Sequence, residues 1–187
     1  MPYEPPPHLA TLSLSEIAEQ VAARKLPPIA GWKPERTGDS RMEIQADGTW
    51  LHDGSPINRQ AMVRLFSGLL VRDPDGSHHL MTPFEKLAIA VEDAPFIAVD
   101  VAHKDGGLAF RLNTDELVVA GPDNPLRAAG NADLPAIYLT VRDGLEARLN
   151  RSTWLQLADI ALTGNEHADD GVLTVESNGA TFDLAAR

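Results

Sequence analysis

The spacing of apolar residues along this chain predicts short strands joined by tight turns, with amphipathic helices between them. Apolar positions recur every two residues, the period of a strand with one face in a core, over 42–46, 86–92 and 96–112. They recur in steps of three and four, the period of a helix with one apolar stripe, over 14–25, 59–70 and 151–163. The links between strands are too short for parallel crossovers, so we expect antiparallel hairpins.

Turn and capping residues occur twice in the same order. Asp47-Gly48 lies between two strand-like runs, and Asn58-Arg59 opens the helix that follows. Asp143-Gly144 and Asn150-Arg151 repeat this order, and the two helix openings are 92 residues apart (150 − 58 = 92). Asp-Gly is typical of two-residue hairpin loops, and asparagine is a favoured helix N-cap. The repetition predicts two related lobes, each built on a strand–turn–strand–helix unit.

These elements predict an α+β protein with two related lobes, each a mostly antiparallel sheet of hairpins with one packed helix. We expect an N-terminal arm, the first helix and a connecting loop over 1–40, the first lobe over 41–120 and the second lobe over 121–187. The glycine, proline and asparagine residues between 121 and 135 have loop chemistry and set the boundary between the lobes.

Composition and charge narrow the classes of function. The 187 residues include no cysteine, which excludes disulfides, thiolate metal sites and cysteine nucleophiles. A formal net charge of −11 opposes general binding to nucleic acid or to anionic lipid surfaces, so we expect neither as a partner. No basic segment followed by an apolar one resembles a secretory signal, and no apolar run approaches the roughly 20 residues needed to span a bilayer. We therefore expect a soluble cytoplasmic protein.

Several motifs together resemble those of a known bacterial family. The motifs are Asp47-Gly48-Thr49-Trp50, Gly54-Ser55-Pro56-Ile57, Thr82-Pro83-Phe84-Glu85-Lys86 and Val91-Glu92-Asp93-Ala94-Pro95-Phe96. The similarity continues through 141–147 and Asn150-Arg151 and spans most of residues 30–165. The family is the uncharacterised domain of unknown function 1285. The resemblance implies two related α+β halves and a part in signalling, and it carries no activity, cofactor or catalytic residue.

Motifs for catalysis and metal binding are absent from the sequence. There is no nucleophile elbow, no phosphate-binding glycine loop and no pair of histidines spaced as in a zinc protease. We expect no bound metal and no cofactor. Acid–base chemistry has candidates in Glu92 and Asp93, with His52 as a third group, although a carboxylate at a turn also has a purely structural use.

Arg59 and Arg151 are unusual because each is expected in the first turn of a helix, where a cation opposes the helix dipole. One interpretation is a pair of anion sites, each made of free helix N–H groups and a guanidinium. The other is a salt bridge to a strand carboxylate, or a solvated side chain. Trp50 and His52, with Trp154, could similarly line a ligand cleft or, for the tryptophans, fill the core.

The leading hypothesis is a non-enzymatic sensing or adaptor module that binds a small ligand, of which an anion is one class, or a partner protein. The candidate ligand-binding residues are Arg59, Arg151, Trp50, His52, Glu92 and Asp93. One alternative is a hydrolase-like enzyme that uses Glu92, Asp93 and His52, which requires these side chains to converge in one pocket. The other is a structural protein that binds another chain through a sheet edge or helix face. The oligomeric state is left open.

Overall fold

A computed structural model describes residues 7–131, 135–164 and 172–185. Its helices are α1 (Leu14–Ala23), α2 (Gln60–Ser67) and α3 (Arg151–Gly164). The strands before the middle of the chain are β1 (Arg36–Ile44), β2 (Trp50–His52), β3 (Ser55–Pro56), β4 (Leu70–Arg72), β5 (His78–Met81) and β6 (Glu85–Val91). The later strands are β7 (Phe96–Lys104), β8 (Gly107–Leu112), β9 (Leu117–Val119), β10 (Leu126–Gly130), β11 (Pro135–Arg142), β12 (Leu145–Leu149), β13 (Thr174–Ser177) and β14 (Ala180–Asp183).

These elements form two compact units, and the predicted α+β fold of two related lobes is confirmed. The first unit is made mainly of Arg24–Pro95. The second contains most of the chain from Phe96 onward together with the segment that ends at Ala23, so α1 belongs to the second unit. The predicted boundary at residue 121 differs from this division, which falls between Pro95 and Phe96.

The first unit is built on a sheet with the strand order β3-β2-β1-β6-β5-β4. Neighbouring strands are antiparallel except for the central pair, β1 and β6, which is parallel. The alternation of apolar and polar residues places one face of the sheet in the core. Its buried residues include Met42, Ile44, Trp50, Leu70, Leu80 and Ile89.

The second unit is built on a sheet with the order β10-β11-β12-β7-β8-β9, in which β12 and β7 form a central parallel pair. The N-terminal segment packs on this sheet through an apolar cluster of Leu9, Leu12, Ile17, Ala109 and Leu117. Two cations fix the segment to the sheet: Lys104 Nζ donates to the Ala10 carbonyl at 2.7 Å, and the Arg111 guanidinium donates to the Pro7 carbonyl. Helix α3 packs against β7, and the β13–β14 hairpin lies against α3 and β8.

The strand orders show which elements of the two units correspond. When the strands of each six-stranded sheet are numbered along the chain, both sheets have the spatial order 3-2-1-6-5-4. The first and last strands of each sheet pair in parallel. This pairs β1 with β7 and β6 with β12, so the Asp47-Gly48 turn corresponds to Asp105-Gly106. The repeat therefore lies in a different register from the 92-residue offset. Helix α2 follows the third strand of its sheet, whereas α3 follows the last strand of the second six-stranded sheet. Asp-Gly turns and asparagine caps are local devices that recur wherever a hairpin or helix needs them, which is why they misalign the units.

Two segments predicted to be loops contain strands. Residues 29–40 hold a 3-10 turn at Ile29–Gly31 and then the start of β1. Residues 121–135 hold β10, which pairs antiparallel with β11. The turn signals before β10 are real, since the Asn124 side-chain amide donates to the carbonyls of Thr140 and Val141. β1 is stabilised by β6, a strand more than forty residues away, so local composition does not reveal it, whereas β10 pairs with β11, the next strand of the chain.

Helix α2 faces the core with a different stripe from the predicted one. Val63 and Ser67 are buried, and Phe66 stacks on Trp50 with ring centroids 6.5 Å apart. The three-and-four spacing predicts that Met62, Leu65, Phe66 and Leu69 face the core. Met62 and Leu65 are instead 38% and 63% exposed, whereas Phe66 and Leu69 are partly buried. A helix of eight residues buries one narrow stripe, and the Trp50–Phe66 contact fixes which one. None of the helices in the described ranges is long and apolar enough to cross a membrane.

Candidate functional site

Trp50 lies in the core of the first unit. It opens β2, is 2% exposed and packs on Phe66. Its indole Nε1 has no hydrogen-bond partner among the described residues. The Trp50 side chain therefore packs in the core, which was the alternative to lining a cleft. Almost none of its indole surface is accessible to a ligand.

The three groups proposed for acid–base chemistry are not all brought together. His52 ends β2 and pairs across the sheet with Met42, on one side of β1. Glu92 follows Val91, which pairs with Ile44 on the other side of β1. Two strand spacings and about three residues along the strand separate their backbones, roughly 14 Å in all. His52 Nε2 lies 3.6 Å from Asp53 Oδ2, whereas Glu92 Oε2 accepts the Ala46 N–H at 2.7 Å. Asp93, next to Glu92, is half-buried. A hydrolase that uses His52 with Glu92 lacks the required convergence.

The two arginines occupy different kinds of helix start. Arg59 has extended backbone angles at the N-cap of α2, outside the first turn, and neither it nor Asn58 caps the helix with a side chain. Arg151 is the first residue of α3, and Asn150 Oδ1 accepts the Thr153 N–H at 2.8 Å as a true N-cap. Both arginines are exposed, and neither forms an ion pair with a carboxylate in the described ranges. The predicted cap at Asn58 was wrong because α2 begins two residues later.

An irregularity in β1 shapes the surface of the first sheet. From Asp39 to Glu43 strand β1 advances four residues while its partner β6 advances two, from Ala88 to Ala90. The extra residues bulge outward, and Arg41 has a φ of 56°. Ser40 Oγ closes the gap by donating to the Ala88 carbonyl at 2.7 Å and accepting the Met42 N–H at 3.1 Å. Because a bulge bends its strand, β1 departs from a regular path at this point, where it lies beside β6.

A cavity of about 400 Å³ lies at this bulge. Glu43 pairs with Leu51 on β2 and with Ala90 on β6, so these side chains share the face of the sheet turned away from the core. Ala88 and Ala90 are exposed on that face, and their small side chains leave a hollow between larger neighbours. The residues that line the cavity are Asp39, Arg41, Met42, Glu43, Leu51, Gly54, Ala88, Ile89 and Ala90. None of the six predicted site residues is among them.

The charges at the cavity are unequal. Arg41 Nη1 lies 3.3 Å from Asp53 Oδ1, and its backbone carbonyl accepts the Asp53 N–H at 2.9 Å, so the guanidinium is already matched by a carboxylate. Asp39 Oδ1 accepts the Arg41 N–H at 2.7 Å. The Glu43 carboxylate has no hydrogen bond or ion pair with the described residues. The cavity therefore offers an unmatched negative charge beside an apolar floor.

The cavity does not have the ligands of a metal site. Hard divalent cations take about six to eight oxygen ligands, supplied by carboxylates, carbonyls and water. In the described part of the chain, no group of three or more His, Cys, Asp or Glu side chains could hold a metal ion. Asp39 and Glu43 are separated by the bulge and flanked by Arg41, an arrangement that suits one organic ammonium group better than a dehydrated metal ion.

A second polar cluster lies on the other side of β6. Lys86 Nζ contacts Asp73 Oδ2 at 2.6 Å, and His79 Nδ1 lies 3.3 Å from the same oxygen. The neighbouring His78 pairs with Arg72 and Ile89. Burial, followed by the positive charges of Arg72 and His79, lowers the pKa of His78 below its ordinary value of 6.5. The Lys86–Asp73 ion pair joins β6 to the residue that follows β4, whereas His79 Nδ1 is buried without a hydrogen-bond partner among the described residues.

The cavity residues escaped prediction for a physical reason. Gly38, Asp39 and Ser40 have loop composition, and the bulge exists only because β1 pairs with a strand more than forty residues away. One signal was available in the sequence, the alternation of Ala88, Ile89 and Ala90, which gives a strand with small residues on its outer face.

Comparisons with known proteins agree with the family resemblance. The model described as "Domain of unknown function (DUF1285), N-terminal domain" matches residues 27–94. The model described as "Protein of unknown function (DUF1285), C-terminal domain" matches residues 95–184. The junction of the two matches coincides with the division of the chain into units at Pro95 and Phe96. Among curated proteins, none matched this chain.

Two solved structures are similar to this chain. The crystal structure of a DUF1285 family protein from Silicibacter pomeroyi is 39% identical, with a TM-score of 0.76, and the match covers 91% of this chain and 94% of that one. The crystal structure of a DUF1285 family protein from Shewanella baltica is 24% identical, with a TM-score of 0.52, and the match covers 63% of this chain and 90% of that one. The second likeness speaks for the fold alone.

Proposed function

Since the chain belongs to the DUF1285 family, whose description assigns no activity, we propose a function from geometry: a non-enzymatic module that binds a small organic cation in the cavity beside the β1 bulge. The observation that carries this proposal is the unmatched Glu43 carboxylate over the floor formed by Ala88 and Ala90. An amine with a short apolar body satisfies both features. This replaces the anionic ligand expected at Arg59 and Arg151 with a ligand of opposite charge at another place.

The surplus charge at the cavity depends on which charged groups are already paired. Arg41 is the cation in the lining, and Asp53 matches it. Asp39 and Glu43 then leave a surplus of negative charge, and the net charge of −11 adds a long-range field that attracts cations. An anionic ligand would meet Glu43 without compensation, and like charges at close range oppose binding.

The size of the cavity sets the scale of ligand and affinity. A volume of about 400 Å³ lies within the range of small-molecule pockets and suits a ligand of roughly ten non-hydrogen atoms. Glu43 is exposed, so its ion pair with an ammonium group is partly screened by water. We expect a dissociation constant of about 0.1–1 mM for a simple amine, as for fragments of this size.

Binding can be tested with three probes of nearly equal size and different charge: benzylamine, benzyl alcohol and benzoate. The readout is the methyl NMR spectrum, because the Ala88 and Ala90 methyl groups form the cavity floor. We expect benzylamine to shift these two resonances in a saturable way, and the neutral and anionic probes to shift them less or not at all. Glu43→Gln should weaken benzylamine binding about two- to fivefold, the range for an exposed ion pair.

A matched control separates the site from the general acidity of the chain. Glu35 is an exposed carboxylate of the same unit outside the cavity lining, and Glu35→Gln removes the same charge. Equal weakening of benzylamine binding by Glu35→Gln and Glu43→Gln would mean that the amine responds to the overall negative charge of the chain and not to Glu43. Benzoate binding as tightly as benzylamine, or unchanged Ala88 and Ala90 resonances at millimolar benzylamine, would refute the proposed ligand class.

A specific separation of residues supports the non-enzymatic part of the proposal. His52 and Glu92 lie on opposite sides of β1, and Glu92 is engaged with the Ala46 backbone. The cavity lining offers carboxylates and one matched arginine, without a hydroxyl, thiol or imidazole nucleophile. Such a lining suits recognition of a cationic ligand.

A further inference from the structure

Helix α2 carries an exposed apolar patch formed by Ala61, Met62 and Leu65. Leu65 is 63% exposed and Met62 is 38% exposed, and the patch lies opposite the buried stripe of Val63 and Ser67. The chain around it is unusual for an acidic protein, because residues 54–72 contain Arg59, Arg64 and Arg72 and no aspartate or glutamate. The α2 patch is therefore apolar and lies in a segment whose formal charges are all positive.

Helix α3 carries the complementary pattern. Leu155, Asp159 and Leu162 follow at steps of four and three, so they lie on one face of the helix. The two leucines are 57% and 66% exposed, and the buried residues Thr153, Leu157 and Ala161 occupy the opposite face. The α3 stripe is therefore apolar with a carboxylate at its centre, and burying both of its leucines would remove a large apolar surface from water.

We propose that the α2 patch of one copy of this chain docks on the α3 stripe of a second copy. Both faces carry leucines that are exposed in the folded chain and open to a partner. Apolar residues on each side supply the contact, and Arg59, which has no ion pair with a described carboxylate, supplies a partner for Asp159. Helix α2 is only eight residues long, about 12 Å, so the contact is small and the association is weak, with a dissociation constant of about 10–100 µM.

Self-association is measured by sedimentation velocity of the full chain over about 5–500 µM, a range that extends below and above the expected constant. The ionic strength is about 0.15 M, at which repulsion between the acidic chains is screened beyond about 8 Å. Leu65→Ser and Leu162→Ser should each weaken association at least about tenfold, because each removes a central apolar contact. A mixture of the two variants should associate more tightly than either alone, since the Leu162→Ser chain keeps an intact α2 patch and the Leu65→Ser chain keeps an intact α3 stripe. This recovery is specific to an α2–α3 contact between copies.

Charge reversal provides an independent test. Arg59→Glu and Asp159→Lys should each weaken association about two- to fivefold, and the double variant should recover most of the loss. Lys33→Glu and Phe84→Ser are matched controls, because they change an exposed charge and an exposed apolar residue elsewhere, and they should leave association unchanged.

Three results would overturn the proposal. The first is a chain that stays monomeric throughout the concentration range, which would leave the two faces for a different partner. The second is loss of association with Leu65→Ser but not with Leu162→Ser, which would indicate contact between two α2 patches. The third is a mixture that associates no better than its components. Circular dichroism of each variant separates these outcomes from loss of the fold.

Discussion

Glu92 is an exposed carboxylate whose side chain serves the backbone. Its Oε2 accepts the Ala46 N–H, and its own N–H donates to the Ile44 carbonyl at 2.9 Å, so it extends the β1–β6 pairing into the adjoining turn. Trp50 and Asn150 also have structural roles: the Trp50 ring packs in the core, and the Asn150 side chain caps α3. Glu43, by contrast, has no such partner in the described ranges. At the scale of single residues, a free carboxylate in a cavity is therefore a stronger sign of ligand binding than residue type alone.

His78 should make the first unit sensitive to mild acid. Burial lowers its pKa in the folded chain below the value of 6.5 that it regains on unfolding. Between these two pKa values the unfolded chain binds more protons, so the stability present above pH 6.5 is lost as the pH falls through the lower pKa. We expect the free energy of unfolding to decrease from pH 7 to pH 5 in urea titrations.

Two variants isolate this contribution. His78→Gln should flatten the pH dependence between 7 and 5, because it removes the titrating group. His103→Gln changes an exposed histidine of the second unit and should leave the dependence in place. Carboxylates with lowered pKa, such as Asp47 and Asp75, titrate below 3.8 and lie outside this window. An unchanged slope in His78→Gln would assign the acid sensitivity to another group.

Helices α2 and α3 show how the same two residues can start a helix differently. Asn150 caps α3 with its side chain and also donates its N–H to the Ala98 carbonyl at 3.1 Å, which fixes the helix to β7. Asn58 does not cap α2, because the chain stays extended through Arg59 before the helix begins. The pattern Asn-Arg predicted both helices, and packing decided where each begins. Phe66 on Trp50 likewise decided which side of α2 faces the core.

Replacing the two asparagines should give unequal effects. Asn150→Ala removes a side-chain cap and should lower the free energy of unfolding by about 1 kcal/mol. Asn58→Ala removes an exposed side chain without a capping bond and should change it by less than about 0.5 kcal/mol. Urea titrations followed by circular dichroism compare the two variants. Equal losses would mean that Asn58 caps α2 in solution.

At the scale of the whole molecule, the two units share one topology. Each closes a meander of hairpins by pairing its first and last strands in parallel, β1 with β6 and β7 with β12. These central pairs join residues far apart in sequence, so each sheet is complete only when its last strand is in place. Helix α2 follows β3 and helix α3 follows β12, which are not corresponding strands. Arg59 and Arg151 therefore do not occupy corresponding positions.

Core truncations should therefore act within their own unit. Ile44 and Leu139 are fully buried in β1 and β11, and replacing either with alanine should cost about 2–5 kcal/mol. Hydrogen exchange followed by mass spectrometry should show faster exchange chiefly in β1, β2 and β6 for Ile44→Ala. The Leu139→Ala variant should show it chiefly in β10, β11 and β12. Equal acceleration in both units for either variant would contradict the division at Pro95 and Phe96.

The sequence by itself determined the fold class, the family, most helices and hairpins and the cap of α3, because these depend on periodicity, turn chemistry and other local rules. Only the tertiary structure decided the register of the repeat, the strands hidden in loop-like segments, the exposed side of α2 and the cavity at the β1 bulge. Each of these depends on contacts with another segment: the bulge on β6, which is distant in the chain, β10 on the neighbouring strand β11, and the exposed side of α2 on the Trp50–Phe66 contact. A local pattern states what a segment prefers, and the packing of remote segments decides which side chains remain available for binding.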